Sequence, residues 1–286
     1  MKKRAVLYLV AAILLAVSWF FFPDNWGKQS VSLEEIPDFS GMPYVVVQDN
    51  VPDFADSDKR PVAYERYSEL DILNRCGAAE ACIGTELMPT EVRGSIGQVK
   101  PSGWQTVKYD SVDGKYLYNR CHLIGFQLTG ENANPENLIT GTRYMNVEGM
   151  LPFENMVADY IRETGYHVLY RVTPVFEGDD LVARGVQMEA LSVEDGGEGI
   201  CFNVFVYNCQ PGIHIEYATG DSWVEETVET GISPQTRYIL NTGTMKFHNA
   251  DCSQAESIKQ SNKAYFNGNR EDLIGQGYSP GKCCDS

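Results

Sequence analysis

The stretch Tyr118-Asn119-Arg120-Cys121-His122-Leu123-Ile124-Gly125, followed by Asn137, Asn146 and Glu154, decides the reading of this chain. An arginine and a histidine two residues apart, trailed by asparagines and a carboxylate, supply a phosphate clamp, a general base and oxygen donors for a hard divalent cation. Phosphodiester hydrolysis needs those parts. His122 is one of only four histidines. With an unperturbed pKa near ~6.5, an imidazole takes a proton from water at neutral pH, help worth roughly 10²- to 10⁴-fold. The bland alternative, a strand histidine satisfied by backbone, suits His167 and His214 better.

Working outward, the pattern predicts a strand over 105–109, a turn over 111–114 and a strand over 116–126, a hairpin that delivers His122 near its end. A polar loop over 130–137 leads into a helical segment. Its later part sets Phe153, Met156, Val157, Tyr160 and Ile161 on one face, with Pro152 tolerated in the first turn. Runs over 165–176, 181–193 and 200–207 are rich in Val, Tyr and Phe and read as an antiparallel meander, extended by 213–217. A first strand is expected near 44–48. The fold class is α+β, with a central antiparallel sheet and flanking helices.

The amino terminus reads Lys2-Lys3-Arg4, then uncharged and mostly apolar residues from Ala5 to Phe22. That length is close to the ~20 residues of a membrane-spanning helix, and the preceding basic residues favour a cytoplasmic amino end. The run closes on Trp19-Phe20-Phe21-Phe22 without a small-x-small cleavage site, so an uncleaved anchor is favoured over a signal peptide. Either way the remainder lies outside the cytoplasmic membrane, single-pass and extracellular if anchored, secreted if cleaved. Eight cysteines fit an oxidising space of that kind. The expected organisation is an anchor over 1–26, a juxtamembrane spacer over 27–66, a catalytic domain over 67–220, an acidic linker over 221–236 and a cysteine-containing tail over 237–286.

A net charge of −16 argues against a passive polyanion binder. The acid is unevenly placed. Residues 100–175 carry seven Lys or Arg against eight Asp or Glu, while 176–235 carry one against twelve.

The segment from Asn119 to Asp159 resembles the DNA/RNA non-specific endonuclease family, whose signature is Asp-Arg-Gly-His followed by a metal-binding asparagine. Within that family the chain is most similar to membrane-anchored DNA-entry nucleases. The resemblance implies a ββα-metal (His-Me finger) core, Mg²⁺ as cofactor with Mn²⁺ as a substitute, and DNA as substrate with RNA as a second. It also implies 5′-phosphate products and a DNA-uptake machinery as partner. It makes His122 the general base, Asn146 the direct metal ligand, Asn137 the residue that positions the histidine side and the scissile phosphate, and Glu154 a carboxylate acting on the hydrated metal through water. Arg120 would bind phosphate; Arg143 and Arg93 are further candidates for the substrate backbone, beside Lys100 and Lys108. Two positions depart from the signature, Asn119 for Asp and Cys121 for Gly, and Cys121 is either a buried small residue or half of a disulfide with Cys76. The tail, with His248, Cys252, Cys283 and Cys284, resembles small zinc-binding modules. Gly281 replaces one expected cysteine there, which favours a disulfide from Cys252 to Cys283 or Cys284. The reading from another class is a noncatalytic extracellular binding protein that keeps the fold.

Overall fold

Alternate residues of the Val-, Tyr- and Phe-rich runs point to opposite faces of a sheet, and in this protein both faces are covered. The structure, a computed structural model, describes residues 31–225, 236–249, 252–259, 262–268 and 270–282. Its first strands are β1 (Tyr44–Val46), β2 (Tyr64–Tyr67), β3 (Ala79–Ile83), β4 (Tyr118–His122), β5 (Leu138–Thr142), β6 (Val168–Val175), β7 (Gly185–Ser192) and β8 (Cys201–Tyr207). The helices of this part are the single turn α1 (Phe126–Thr129) and α2 (Leu151–Thr164). Six strands pair in the order β1-β8-β7-β6-β3-β2, every neighbour antiparallel.

One face is apolar. Ala79, Ala81 and Ile83 of β3, Val168, Tyr170 and Val172 of β6, and Val204 and Val206 of β8 pack under Leu123, Ile139, Met150, Phe153, Val157 and Ile161. Burying each large side chain contributes about 1.5–3 kcal/mol, and this contact fixes β4, β5 and α2 on the sheet. Pro152 sits in the first turn of α2 as expected, and Gly165 closes it at φ 70°, where its N–H reaches Ile161 O. Met156, expected on the apolar face, is 47% exposed.

The other face is polar yet buried. Arg171 donates from Nε to Glu189 at 2.8 Å and from Nη1 to Glu80 at 3.3 Å, and its Nη2 reaches Asp53 O at 2.6 Å. Asn203 donates to Gln48 and to Val51 O, and Tyr64 donates to Glu80 at 2.6 Å. The segment expected to be a spacer is therefore stitched onto this face between β1 and β2, which form the two sheet edges. It lacks periodicity because it answers buried charges with backbone and short polar groups, not with an apolar stripe.

Two pairings also differ from expectation. The partner of β4 is β5, with His122 opposite Leu138, not the run over 105–109, which contributes only a bridge from Lys108 to Tyr116. Residues 138–142, expected within a helical segment, are thus strand. The run over 213–217 does not extend the meander: β9 (Ile213–Glu216) pairs with β10 (Asp221–Val224) alone.

In the tail, β11 (Thr236–Asn241), β12 (Lys246–Asn249), β13 (Lys263–Gly268) and β14 (Ser279–Pro280) form a sheet in the order β13-β11-β12-β14, beside the short helix α3 (Arg270–Gly275). Its core of Tyr238, Leu240, Phe247, Phe266 and Leu273 also takes in Met42. Cys252 is disulfide-bonded, whereas Cys76, Cys82, Cys121, Cys201 and Cys209 are free thiols. Cys283 and Cys284 lie outside the described residues, as do the anchor segment and most of the acidic linker. Among the described residues no helix is long and apolar enough to cross a membrane, and no three His, Cys, Asp or Glu side chains gather as a metal cluster.

Candidate active site

The end of β4 is locked by Asn137, which is fully buried. Its Oδ1 accepts from Ile124 N at 2.9 Å, its Nδ2 donates to Ile124 O at 3.0 Å, and its own carbonyl accepts from Leu123 N at 2.9 Å. Both ends of the side-chain amide are thus committed to backbone. Asn137 does not line the cleft described below; its side chain holds the backbone that follows His122.

Cys121 is also resolved. It is a free, fully buried thiol, and a Cβ on Gly141 would lie 2.4 Å from its sulfur, so Gly141 on β5 provides the room that the departure at 121 requires. Burial raises its pKa. Cys76, the alternative disulfide partner, points its thiol at Pro135 O and Leu138 O, both at 3.2 Å.

His122 is 6% exposed and its ring is set from both sides. Nε2 lies 2.7 Å from Asn132 O, an acceptor only, so Nε2 carries the proton and Nδ1 keeps its lone pair. Arg93 Nη2 approaches Nδ1 at 3.3 Å. Burial lowers the pKa of His122; the hydrogen bond to Asn132 opposes this, and the Arg93 charge adds to the lowering. The ring is thereby held as a neutral base.

Asn146 sits in a π-helical turn, Met145–Met150, that begins where Met145 N donates to Thr142 Oγ1. The turn runs directly into α2, which carries Glu154 in its first turn. Glu154 has its carboxylate against Gly125, where a Cβ would lie 2.6 Å from Oε2 and would have to displace the carboxylate. Burial pushes its pKa up to about 7, against the lowering effect of Gln127 and Arg93.

His122, Asn146, Glu154, Arg93, Arg120 and Arg143 all line one cleft of about 660 Å³, together with Trp104, Tyr116, Tyr118 and Phe126. Three arginines against one carboxylate give the cleft the sign that a polyanion requires, in spite of the chain's acidity. The arginines differ in freedom. Arg120 is bound through Nε to Val99 O and through Nη2 to Gly97 O at 3.0 Å, with its guanidinium 3.9 Å from the Trp104 ring centroid; it pins the 97–104 loop as much as it faces solvent. Arg143 is paired with Asp113 at 2.8 Å. Lys108 lies over the Tyr116 ring.

A divalent cation suits this donor set. Asn146 and Glu154 offer hard oxygens on one wall, and the volume leaves room for several waters, the habit of Mg²⁺. His167, by contrast, is clamped between Glu194 at 2.7 Å and Glu86 at 3.0 Å, away from the cleft, and His214 stacks on Trp223.

Residues 56–194 match the family of DNA/RNA non-specific endonucleases. This segment is a DNA/RNA non-specific endonuclease domain. A deoxyribonuclease of Streptococcus dysgalactiae subsp. equisimilis is 34% identical to it over 126 residues, 42% of this chain and 36% of the relative, so the chain spans about a third of that protein's length. Among solved structures, NucA from Streptococcus agalactiae with magnesium ion bound is similar at 26% identity, over 63% of this chain and 86% of that one, with a TM-score of 0.55. Sda1 nuclease with bound zinc ion is similar at 25% identity, over 65% and 97%, with a TM-score of 0.52. The match leaves out β1 and β8, although both belong to the nuclease domain's sheet.

Two contributors to the site have no side-chain signature in the sequence. Asn132 acts through its carbonyl, and Trp104 acts by stacking under Arg120 from a loop. A lone tryptophan among turn residues is the only sequence signal for the second.

Proposed function

We propose that this protein is an extracellular, membrane-anchored, Mg²⁺-dependent endonuclease that hydrolyses DNA, with RNA as a second substrate, without strong sequence preference and leaving 5′-phosphate ends. The observation that carries this reading is a buried, neutral histidine whose tautomer is fixed by Asn132 O and whose Nδ1 shares a cleft with Asn146, Glu154 and three arginines. The family match supports the reaction class.

In this mechanism the phosphodiester enters among the arginines. Arg93 moves from Nδ1 to a phosphate oxygen, an exchange of a 3.3 Å contact for a charge-assisted bond. The vacated Nδ1 accepts a proton from water attacking phosphorus in line with the leaving 3′ oxygen, while Nε2–H stays on Asn132 O and stops the ring from turning. Asn146 would hold Mg²⁺, or Mn²⁺ in its place, and Glu154 would orient its waters; the ion supplies charge stabilisation to the transition state and leaving group. Contacts to the backbone alone carry no sequence information, which fits weak preference.

Anchoring rests on Lys2-Lys3-Arg4 and the apolar run from Ala5 to Phe22, with delivery to a DNA-uptake machinery as the associated role. A noncatalytic binding role would leave the His122 tautomer lock without a purpose. Plasmid and RNA digestion by the full-length chain, with Mg²⁺ and with EDTA, tests the activity. His122→Ala should lose roughly 10²-fold or more in cleavage and still bind DNA; wild-type cleavage by that variant would sink the mechanism.

A further inference from the structure

A second cavity adjoins the catalytic cleft across Phe126, which lines both. It has a volume of about 470 Å³ and lies between the 86–94 loop on one side and Thr129, Gly130 and Asn132 on the other. Its chemistry is the reverse of the cleft's. No lysine or arginine lines it, whereas Glu86 and Glu91 do, and Leu87, Met88, Pro89 and Val92 make most of that wall apolar. Phosphate is repelled by such a lining; a flat, uncharged ring with N–H donors is not.

Asn132 connects the two spaces. Its carbonyl accepts from His122 Nε2, the residue lines the second cavity, and its Oδ1 is buried without a hydrogen-bond partner. A native structure rarely leaves such an acceptor unmatched. Arg93 marks the partition. Its guanidinium faces His122 and lies 5.9 Å from the Phe126 ring centroid, while its neighbours Val92 and Gly94 line the cavity.

We propose that this cavity is a nucleobase subsite, which takes the base of the nucleotide next to the scissile phosphate. Phe126 meets the ring, and Asn132 and Glu91 accept from the exocyclic amino group. Adenine, cytosine and guanine carry that group; thymine and uracil do not. The site therefore disfavours thymine at one position by roughly three- to tenfold, the worth of one hydrogen bond. Seating the base also holds Asn132, and through its carbonyl the ring of His122. The subsite rests on the nuclease reading above, and its test separates the two.

The full-length chain is given Mg²⁺ and a random-sequence oligonucleotide, the new ends are sequenced, and a fixed oligonucleotide is scanned with single abasic positions. Wild type should show one flanking position depleted in thymine, with an abasic residue at that same position raising KM. Asn132→Ala, which keeps the backbone carbonyl, and Glu91→Ala, at an exposed position, should each flatten the bias. If nothing is cut, the nuclease reading falls and the subsite with it. If cutting proceeds with a flat end profile and a featureless scan, or with a bias that neither variant changes, the subsite is overturned and the nuclease stands.

Discussion

Replacing Asn137 with alanine separates holding the site from performing its chemistry. The residue is fully buried and its amide satisfies both the N–H and the C=O of Ile124, itself fully buried. Truncation leaves those two backbone groups unpaired, at about 1–3 kcal/mol each, so the expected loss is about 2–6 kcal/mol. That is a large share of the 5–15 kcal/mol typical of a whole domain. Cleavage should fall as well, because Leu123 and Ile124 directly follow His122, the proposed general base. Urea denaturation of Asn137→Ala beside His122→Ala, with cleavage assayed on both, reads the difference. Asn137→Ala should unfold at clearly lower urea than His122→Ala, which gives up one side-chain bond to a carbonyl where Asn137→Ala strips the pairing from two buried backbone groups. An Asn137→Ala protein as stable as wild type, yet as inactive as His122→Ala, would refute the splint and return Asn137 to the substrate.

Three further outcomes follow from the geometry. Arg93→Ala removes a charge that lowers the His122 pKa, so the base should protonate at higher pH and the acid limb of kcat/KM should move upward; an unmoved limb would show that the 3.3 Å contact has no influence on the base. Asn146→Ala should weaken metal use by roughly 10- to 100-fold and recover part of its activity at high Mg²⁺, and a loss independent of Mg²⁺ would deny it the ligand role. Burial lowers the His167 pKa, but its hydrogen bonds to the Glu194 and Glu86 carboxylates outweigh it and raise the value. Its stabilisation is therefore complete below the unfolded value near ~6.5 and is lost as pH rises through the folded one. His167→Gln should cost up to about 1 kcal/mol in mild acid and little in alkali, with equal cost at both ends counting against the clamp.

The site was more legible in the sequence than the frame that holds it. His122, Asn146, Glu154 and the three arginines carry their chemistry in side chains at fixed spacing, and the structure gathers all of them in one cleft. Asn132 escaped because its contribution is a carbonyl, which every residue has. The partner of β4 was misplaced because alternation shows that a run suits a strand, not which strand it meets. Leu138–Thr142 is short, and its place between a polar loop and α2 made it read as helix. Residues 48–64 looked like spacer for a different reason: Asp53, Val51 and Gln48 answer Arg171, Glu189 and Asn203 with individual polar contacts, and such contacts have no period. The cysteines divide: Cys252 is disulfide-bonded as expected, while Cys121 takes the buried-small-residue alternative, and the buried free thiols pack as small side chains.

The pairing of Tyr44 with Val206 bears on when the protein becomes an enzyme. The strand that opens the sheet waits for one made far later, and closing a loop of that size is slow. Every member of the catalytic cleft lies inside the loop, so the base, the oxygen donors and the arginines all leave the ribosome before their support is complete. A nascent chain halted before β8 carries the whole active-site sequence and lacks the strand on which β1 pairs. On the proposed function, activity therefore begins only as a late event of synthesis, once β8 has been made and β1 has closed on it.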